Sequence, residues 1–253
     1  MLEEYLRTRR EEREILLMTH IVLGYPSFAA CRDVIASMVD AGVELMELQI
    51  PFSEPMADGP VILRANQEAL ARGARVEQCL DFASRMASEF GIPFLFMTYY
   101  NVPLQHGIER FADRMRAGGI VGSIVPDLPP EEAEPYLAAL ADRDLAPIFI
   151  FSPNTSDARL RYLSEHARGF VYCVARKGVT GARTEFTESL EHYLARCRAA
   201  TSLPLAVGFG VREKSDVDFL RGKADIAVVG SETLRVIDTQ GVAAVGPFIR
   251  SLR

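Results

Sequence analysis

Two carboxylic acids, Glu47 and Asp58, are spaced so that both could serve one active site. Glu47 lies in the run ELMELQI, where side chains alternate between the two faces of a predicted strand. One face is wholly aliphatic and should meet helices, so Glu47 and Gln49 should point into the interior of the fold. A buried carboxylate is costly unless it is paired or used in chemistry. An ion pair with an interior Lys or Arg is the alternative, but the other predicted strands offer no obvious partner of that kind.

Asp58 comes eleven residues after Glu47, in the Pro- and Gly-containing loop PFSEPMADGP. Taken alone, an acid in such a loop is usually solvated or part of a turn. A buried strand acid and a more exposed loop acid differ in proton affinity, however. The pair therefore predicts two carboxyl groups with separate acid and base roles.

The elements that position these acids repeat as β then α along the chain. Short apolar runs predict eight strands, at residues 16–23, 45–50, 93–100, 123–126, 146–151, 170–175, 204–208 and 225–230. Helical spacing between and after them predicts helices at 28–41, 76–90, 108–117, 130–142, 158–165, 189–200 and 232–237. The near-continuous apolar character of the strands indicates a sheet that is covered on both faces.

Eight such units in 253 residues predict an α/β fold of the (β/α)8 TIM-barrel type and fit an open doubly wound sheet less well. No linker divides the chain, so we expect residues 1–253 to form a single domain. Active sites of these barrels lie on the loops that follow the carboxyl ends of the strands. The loop that carries Asp58 is one of them.

Glycine turns follow the last three predicted strands. Residues 178–181 follow the sixth strand, residues 208–210 follow the seventh, and Gly230 with Ser231 follows the eighth, just before a helical stretch. Loops at this end of such barrels often bind phosphate through backbone N–H groups and a helix N-terminus. One glycine turn alone is more often a simple bend, but three at consecutive strand ends predict a phosphorylated substrate.

The composition excludes several other classes of protein. Hydrophobic residues make up 49% and charged residues 25%, as in ordinary globular proteins, and a net charge of −6 argues against a nucleic-acid or anionic-membrane surface. The four cysteines lie far apart and suggest neither a disulfide framework nor a metal site, which indicates a reducing compartment. The charged first fourteen residues and the lack of a long apolar run in the sequence predict a cytoplasmic protein without a membrane span.

These motifs resemble the family of tryptophan synthase alpha subunits along nearly the whole chain. The most specific match is residues 47–60, where PFS-x-P-x-ADGP stands intact after the strand glutamate. Further matches follow in the family's order: LGYP, YYN, PDLP, GVTGA, GFG and GS. The resemblance implies a lyase of tryptophan biosynthesis that splits indole-3-glycerol phosphate into indole and glyceraldehyde 3-phosphate by a retro-aldol reaction. It also implies that this chain needs no metal and no organic cofactor.

The resemblance gives the two acids distinct roles. Glu47 would protonate C3 of the indole ring, which turns the ring into an electron sink. Asp58 would stabilise the charge that develops near the ring N–H. As a carboxylate, Glu47 would then take the proton of the glycerol hydroxyl while the carbon–carbon bond breaks.

The other site residues are carried over from the family in the same way. Tyr172 would lie near the glycerol end of the substrate, with a core aromatic as the alternative. Ile124 and Phe209 would form an apolar slot for the indole ring, Tyr99 would also bind the substrate, and Thr180 would close the sixth loop over it. The phosphate would be held by Gly181, Gly210, Gly230 and Ser231.

Five positions depart from the commoner family pattern and leave the fine specificity open. They are His20, Gln49, Val61, Leu63 and Lys177. We expect His20, on the first strand, to pack or hydrogen-bond within the barrel rather than to take part in catalysis. Lys177 fits a solvated loop charge, although it also stands near where a barrel aldolase could carry a Schiff-base lysine.

Four functions remain open at this point. The first is an alpha subunit in an α2β2 complex with a pyridoxal-phosphate beta subunit, with residues 52–60 and 101–105 at the interface. The second is a free-standing lyase that releases indole without a partner. The third is a Schiff-base aldolase using Lys177, which is disfavoured by its neighbour Arg176. The fourth is a regulatory subunit without catalysis, which the intact Glu47 and Asp58 disfavour.

Overall fold

The computed structural model describes residues 2–174, 188–208 and 210–253. The strands are β1 Leu16–Val22, β2 Leu45–Gln49, β3 Phe94–Met97, β4 Ile120–Ile124, β5 in two segments (Ala146–Ile148 and Ile150–Phe151), β6 Val171–Val174, β7 Leu205–Gly208 and β8 Ile226–Val229. The helices are α1 Leu2–Glu12, α2 Phe28–Asp40, α3 Pro60–Ala71, α4 Val76–Glu89, α5 Asn101–His106, α6 Ile108–Ala117, α7 Glu134–Ala141, α8 Asp157–His166, α9 Glu188–Ala200, α10 Lys214–Leu220, α11 Ser231–Gln240 and α12 Val245–Ser251. In the described part of the chain, no helix is long and apolar enough to cross a membrane.

The strands form one closed, parallel barrel. The sheet runs in chain order from β1 to β5, and β1 also pairs with β8, which is followed by β7 and β6. The first segment of β5 pairs with β4 and the second pairs with β6, and only Phe149 separates the two segments. Because both open ends of the sheet belong to this one strand, the barrel closes through it. The predicted (β/α)8 TIM barrel is confirmed.

Alternating side chains divide the core into two layers. The inner layer fills the barrel with Leu16, Met18, Leu45, Leu95, Met97, Ile124, Ala146, Ile148, Phe170, Ala206, Ile226 and Val228. The outer layer lies between the strands and the helices and includes Met46 and Leu48 of β2. The alternation in β2 therefore falls as the sequence predicts, with the aliphatic face outward and Glu47 inward.

Five helices of the described chain are absent from the sequence prediction: α1, α3, α5, α10 and α12. Two of them, α1 and α3, frame the barrel next to the site. Helix α1 is mostly charged, but Leu2 and Leu6 lie one turn apart and pack into the inner core at the amino end of the barrel. Helix α3 begins at Pro60, directly after Gly59 in an extended conformation. Proline suits the first turn of a helix because its missing N–H would have no partner there. The segment PFSEPMADGP, which the sequence predicts to be a loop, therefore also contains the first residue of α3, Pro60.

Candidate active site

Glu47 lies near the carboxyl end of β2, inside the barrel, with only 4% of its surface exposed. The residue beside it in the parallel register is His20 of β1. The His20 Nδ1 and Glu47 Oε1 atoms are 2.9 Å apart and form a hydrogen bond between two buried side chains. Among the described residues, Glu47 forms its ion pair with this histidine and with no Lys or Arg. The carboxyl group is therefore not held by a permanent cation in that part of the chain.

The environment of His20 changes its pKa in two opposing ways. Burial lowers the pKa of a histidine because it disfavours the charged ring. The hydrogen bond with Glu47 and the negative charges of Glu47 and Asp58 act in the other direction and prevail, so the pKa of His20 is raised. A protonated ring is therefore favoured beside the Glu47 carboxylate.

Asp58 lies half-buried in the loop between β2 and α3. Its Oδ2 atom accepts two hydrogen bonds, one from Gln49 Nε2 at 2.7 Å and one from the Tyr99 hydroxyl at 3.0 Å. The same hydroxyl accepts the backbone N–H of Ala57 at 3.0 Å, so Tyr99 holds the loop as well as the acid. Both donors to Asp58 are neutral, and they orient its carboxylate without forming an ion pair.

The start of this loop is fixed against the barrel by Phe52. Its ring stacks on Tyr99, with ring centroids 5.1 Å apart and an angle of 17° between the planes. Its backbone N–H donates to Asn66 Oδ1 at 2.9 Å, and the Asn66 amide in turn donates to the Ile62 carbonyl at 2.8 Å. Since Asn66 belongs to α3, the start of the loop and the helix after it are joined on either side of Asp58.

Tyr172 of β6 brings a phenol close to the two acids. Burial raises the pKa of Tyr172 well above its ordinary value, and the negative charges of Glu47 and Asp58 raise it further. The hydroxyl therefore stays protonated and can donate a hydrogen bond. Its ring fits because β7 ends in Gly208: a Cβ at that position would lie 2.8 Å from the Tyr172 oxygen. The neighbouring strand leaves space that the tyrosine occupies.

Of the two residues predicted to form the apolar slot for the indole ring, the structure describes Ile124. Ile124 ends β4, is 1% exposed, and belongs to the inner core together with Met97 and Tyr99. Phe209, the other predicted wall, lies outside the described residues. Lys177 is outside them as well.

The described part of the predicted phosphate site lies where β7 and β8 end. Gly210, after β7, has a φ of +88°, a conformation that favours glycine. Gly230 precedes α11, which begins at Ser231, and no heavy atom lies within 4 Å of the place where a Gly230 Cβ would be. The space beside Gly230 at the start of α11 is therefore open, and the N-terminus of a helix suits an anion. Because β7 and β8 are paired, both turns lie at one edge of the barrel; Gly181 and Thr180 lie outside the described residues.

The comparison with known proteins decides the family. A family model described as tryptophan synthase alpha chain matches residues 6–245. The chain belongs to this family. Tryptophan synthase alpha chains of Desulforapulum autotrophicum and Syntrophotalea carbinolica are 62% and 59% identical to it, and each similarity covers 100% of both chains.

Solved structures of tryptophan synthases share the fold along nearly the whole chain. A structure of Mycobacterium tuberculosis tryptophan synthase has a TM-score of 0.92 and 33% identity, covering 99% of this chain and 96% of that one. A structure of the tryptophan synthase α2β2 complex from Pyrococcus furiosus has a TM-score of 0.88 and 29% identity, covering 94% and 97%. The family resemblance drawn from the motifs is confirmed.

Sequence reasoning singles out Glu47 and Asp58 but misses the side chains that form hydrogen bonds with them. Alternation in β1 places His20 on the inward face, yet its contact with Glu47 depends on how β1 is aligned with β2. The sequence predicts that Gln49 faces the interior and marks it as a departure from the family pattern, but it does not predict that Gln49 donates to Asp58. The sequence signal that could have indicated this contact is that Gln49 shares the inward face of β2 with Glu47.

Proposed function

We propose that this chain cleaves indole-3-glycerol phosphate to indole and glyceraldehyde 3-phosphate, with Glu47 and Asp58 as its two catalytic acids. Tryptophan synthase alpha chains, the family to which it belongs, are the lyases of this step in tryptophan biosynthesis. One observation carries the residue assignment: the two acids have unlike surroundings. Glu47 is enclosed in the barrel beside His20, whereas Asp58 is held at the mouth of the barrel by neutral donors.

Glu47 moves the protons of the reaction. Its carboxyl group protonates C3 of the indole ring, which makes the ring an electron sink for the bond that will break. The resulting carboxylate takes the proton of the glycerol hydroxyl as the carbon–carbon bond breaks and the aldehyde forms. One proton is given and one is taken, so Glu47 returns to its starting state. Because His20 occupies Oε1, the Oε2 atom is the one left for the substrate.

Asp58 stabilises the positive charge that develops on the indole ring by accepting the ring N–H. Its fixed partners, Gln49 and Tyr99, orient the carboxylate before the substrate arrives, so little reorganisation is needed during the reaction. Tyr172, a protonated phenol near both acids, is placed to donate to the oxygens of the glycerol chain.

The rest of the substrate would be held by the barrel wall and the glycine turns. Ile124 with Phe209 forms the slot for the ring, and Thr180 closes the loop over the ligand. The phosphate is bound by the backbone at Gly181, Gly210, Gly230 and Ser231. The open space in front of Gly230 at the start of α11 supports this end of the proposal.

The partner that we propose is a beta subunit of tryptophan synthase in an α2β2 complex, with pyridoxal phosphate in the partner and no cofactor in this chain. Met56 and Leu104 are the large hydrophobic side chains that are exposed in the described part, with exposed fractions of 84% and 48%. They lie in the loop after β2 and in α5 after β3, the two segments that the sequence predicts to face a partner. Exposed apolar side chains at the active-site end favour an assembly over a free-standing lyase. A cytoplasmic location suits this function.

Indole release by the purified chain, measured alone and with a beta subunit, tests the proposal. In Glu47→Gln the amide oxygen can still accept from His20, but the side chain cannot move a proton, so we expect release to fall about 10³-fold. The matched control is Glu165→Gln, an exposed acid at the amino end of the barrel, which should leave release unchanged.

Three results would count against parts of this assignment. Equal release by Glu47→Gln would remove Glu47 from the catalytic role. Fast release that a beta subunit does not increase would establish the free-standing lyase instead of the subunit. Substrate binding without any release, with or without the partner, would leave only a regulatory barrel.

A further inference from the structure

We propose that His20 is a positioning residue for this reaction, and that it joins the two catalytic acids into one hydrogen-bonded chain through Gln49. The inference rests on the roles proposed above for Glu47 and Asp58. Its starting point is that one end of His20 and one end of Gln49 are already bonded to these acids, at 2.9 Å and 2.7 Å.

The orientation of the Gln49 amide follows from its partner. Asp58 Oδ2 is a carboxylate oxygen, so the atom that faces it at 2.7 Å must be the amide nitrogen. The amide oxygen, Oε1, then turns away from Asp58. This atom is buried and has no hydrogen-bond partner among the described residues. A buried acceptor left in this state costs free energy.

His20 also has a buried polar atom without a partner among the described residues. Its Nδ1 atom is used by Glu47, while its Nε2 atom is buried and has no hydrogen-bond partner in the described part of the chain. Gln49 lies two residues beyond Glu47 on the same inward face of β2, next to β1. Because His20 is paired with Glu47 in the register and Gln49 is the next inward residue of β2, the two side chains are diagonal neighbours inside the barrel. The Gln49 side chain also helps to raise the pKa of His20. A ring nitrogen and an amide oxygen satisfy each other only when the nitrogen carries a proton.

Protonation of His20 thus completes the chain. Nδ1–H donates to Glu47, Nε2–H donates to Gln49 Oε1, and the Gln49 amide donates to Asp58, which also accepts from Tyr99. The titratable groups around His20 are Glu47 from β2, Asp58 from the loop after it, and the Tyr99 and Tyr172 phenols beyond them. Of these groups, only the two carboxylates could accept a proton from the imidazolium. The two phenols are donors.

The chain gives His20 a positioning task and no proton-transfer step. It fixes Oε1 of Glu47, so that Oε2 faces the substrate, and it keeps the Gln49 amide nitrogen toward Asp58. Glu47 gives one proton to the ring and takes one from the hydroxyl. While Glu47 carries that proton, the negative charge of Asp58 and the Gln49 side chain are what still favour the protonated imidazole. The acid at C3 and the acid at the ring nitrogen are then held at a fixed separation, which the rigid indole ring requires.

A double-mutant cycle tests the link, with kcat and KM measured in the complex with the beta subunit. His20→Phe keeps the ring volume and removes both hydrogen bonds, and Gln49→Met keeps the length and removes the amide. We expect each single change to lower kcat about tenfold with little change in KM, and the double variant to be no worse, because either change breaks the same chain. The control is Thr19→Val, a near-isosteric change at the adjacent buried position of β1, which should behave as wild type.

The pH profile and the histidine itself give readouts that a purely structural role would not move. In the wild type, kcat should decline as pH rises through the raised pKa of His20, and this decline should be absent in His20→Phe. His20→Gln restores a donor to Glu47 without a charge, so it should regain part of kcat but not the decline. In 15N-histidine NMR spectra, Nε2 of His20 should be protonated at neutral pH, and Glu47→Gln should lower the pKa of the ring.

The outcomes separate this inference from the proposed function. If the wild type releases indole and Glu47→Gln does not, but the two single effects multiply in the double variant or the ring is neutral at neutral pH, the link through Gln49 is wrong. If the wild type releases no indole while Nε2 is protonated, the function is wrong and the hydrogen-bonded chain is supported.

Discussion

The two ends of the barrel hold their buried acids in different ways. At the amino end, Glu44 and Asp225 are 5% and 3% exposed, and each is paired with two arginines. At the carboxyl end, Glu47 and Asp58 accept hydrogen bonds from neutral side chains and from one histidine. In barrels of this type the amino end serves stability and the carboxyl end serves chemistry. The arginine partners at the amino end, and the neutral and histidine partners at the carboxyl end, agree with this division.

Glu44 joins three distant parts of the chain at the amino end. It accepts the backbone N–H of Leu17 at 2.7 Å and pairs with Arg13 at 3.1 Å and with Arg253 at 2.8 Å. The segment after α1 and the last described residue are thereby fixed to the start of the barrel. A permanent cation on each side holds such a carboxylate in place.

Asp225 likewise connects separate elements at the amino end: the start of β7, α1 and α9. It accepts the backbone N–H of Leu205 at 2.7 Å, at the start of β7, and pairs with Arg10 of α1 and Arg198 of α9. The acids at the carboxyl end lack such arginines within the described residues. A histidine orients the Glu47 carboxyl group while still allowing it to give and take a proton, and neutral donors orient Asp58 without cancelling its charge, as the proposed reaction requires.

The largest effect that we expect from this comparison is on catalysis by Asp58→Asn. The amide oxygen can still accept from Gln49 and Tyr99, so the loop should keep its structure, but the charge that stabilises the ring is gone. We expect kcat for indole release to fall about 10²-fold or more, with the unfolding free energy unchanged. Steady-state kinetics with the beta subunit measures this, with the exposed Asp142→Asn as control. A destabilised but active variant would contradict the comparison.

The reverse result is expected from Asp225→Ala at the amino end. This change leaves the Leu205 N–H without its acceptor and frees two arginines, which are about two-fifths exposed and can regain water. We expect the unfolding free energy to fall by about 3 kcal/mol, while kcat per folded molecule stays the same. Urea denaturation and kinetics on the same preparation test both parts. A loss below about 1 kcal/mol, or a lower kcat, would show that the two ends are not separate in function.

A smaller effect is expected from Tyr99→Phe at the carboxyl end. Asp58 loses one of its two donors and the Ala57 N–H loses its acceptor, but Gln49 remains bonded to Asp58. The loss of one such hydrogen bond is worth about 1.4 kcal/mol, so we expect kcat/KM to fall about tenfold. Tyr162→Phe on the outer helix α8 is the control. Unchanged kinetics would mean that Gln49 alone positions the acid.

The sequence predicts the features of this comparison that depend on local pattern. The β-then-α repeat predicts the barrel, and alternation in β2 predicts that Glu47 points inward while its neighbours face the helices. The loop motif places Asp58 at the carboxyl end of the barrel. These inferences need only residues that are close together along the chain.

Apart from Gln49, which is nine residues from Asp58, the partners of the acids could not be predicted, because they come from positions far apart in sequence. His20 and Glu47 are 27 residues apart, and Arg253 and Glu44 are 209 apart. The first contact depends on the register between two strands, and the second depends on where the end of the chain returns to the barrel. Helix α1 shows the same limit, because its charged sequence hides the two leucines that close the amino end.

The smallest expected effect is the pH dependence of stability that His20 adds at the carboxyl end. Its pKa is raised in the folded protein above the ordinary value of 6.5, so its contribution to the unfolding free energy is fully present below about pH 6.5 and is lost as pH rises through the folded-state pKa. The difference in unfolding free energy between wild type and His20→Phe, from urea denaturation, should therefore be larger near pH 6 than near pH 9. The corresponding difference for Asp225→Ala should stay constant over this range, because the arginines at the amino end remain charged. If the His20→Phe difference instead grew with pH, the ring would be held neutral in the folded state, and the contrast between the two ends would rest on Gln49 and Tyr99 alone.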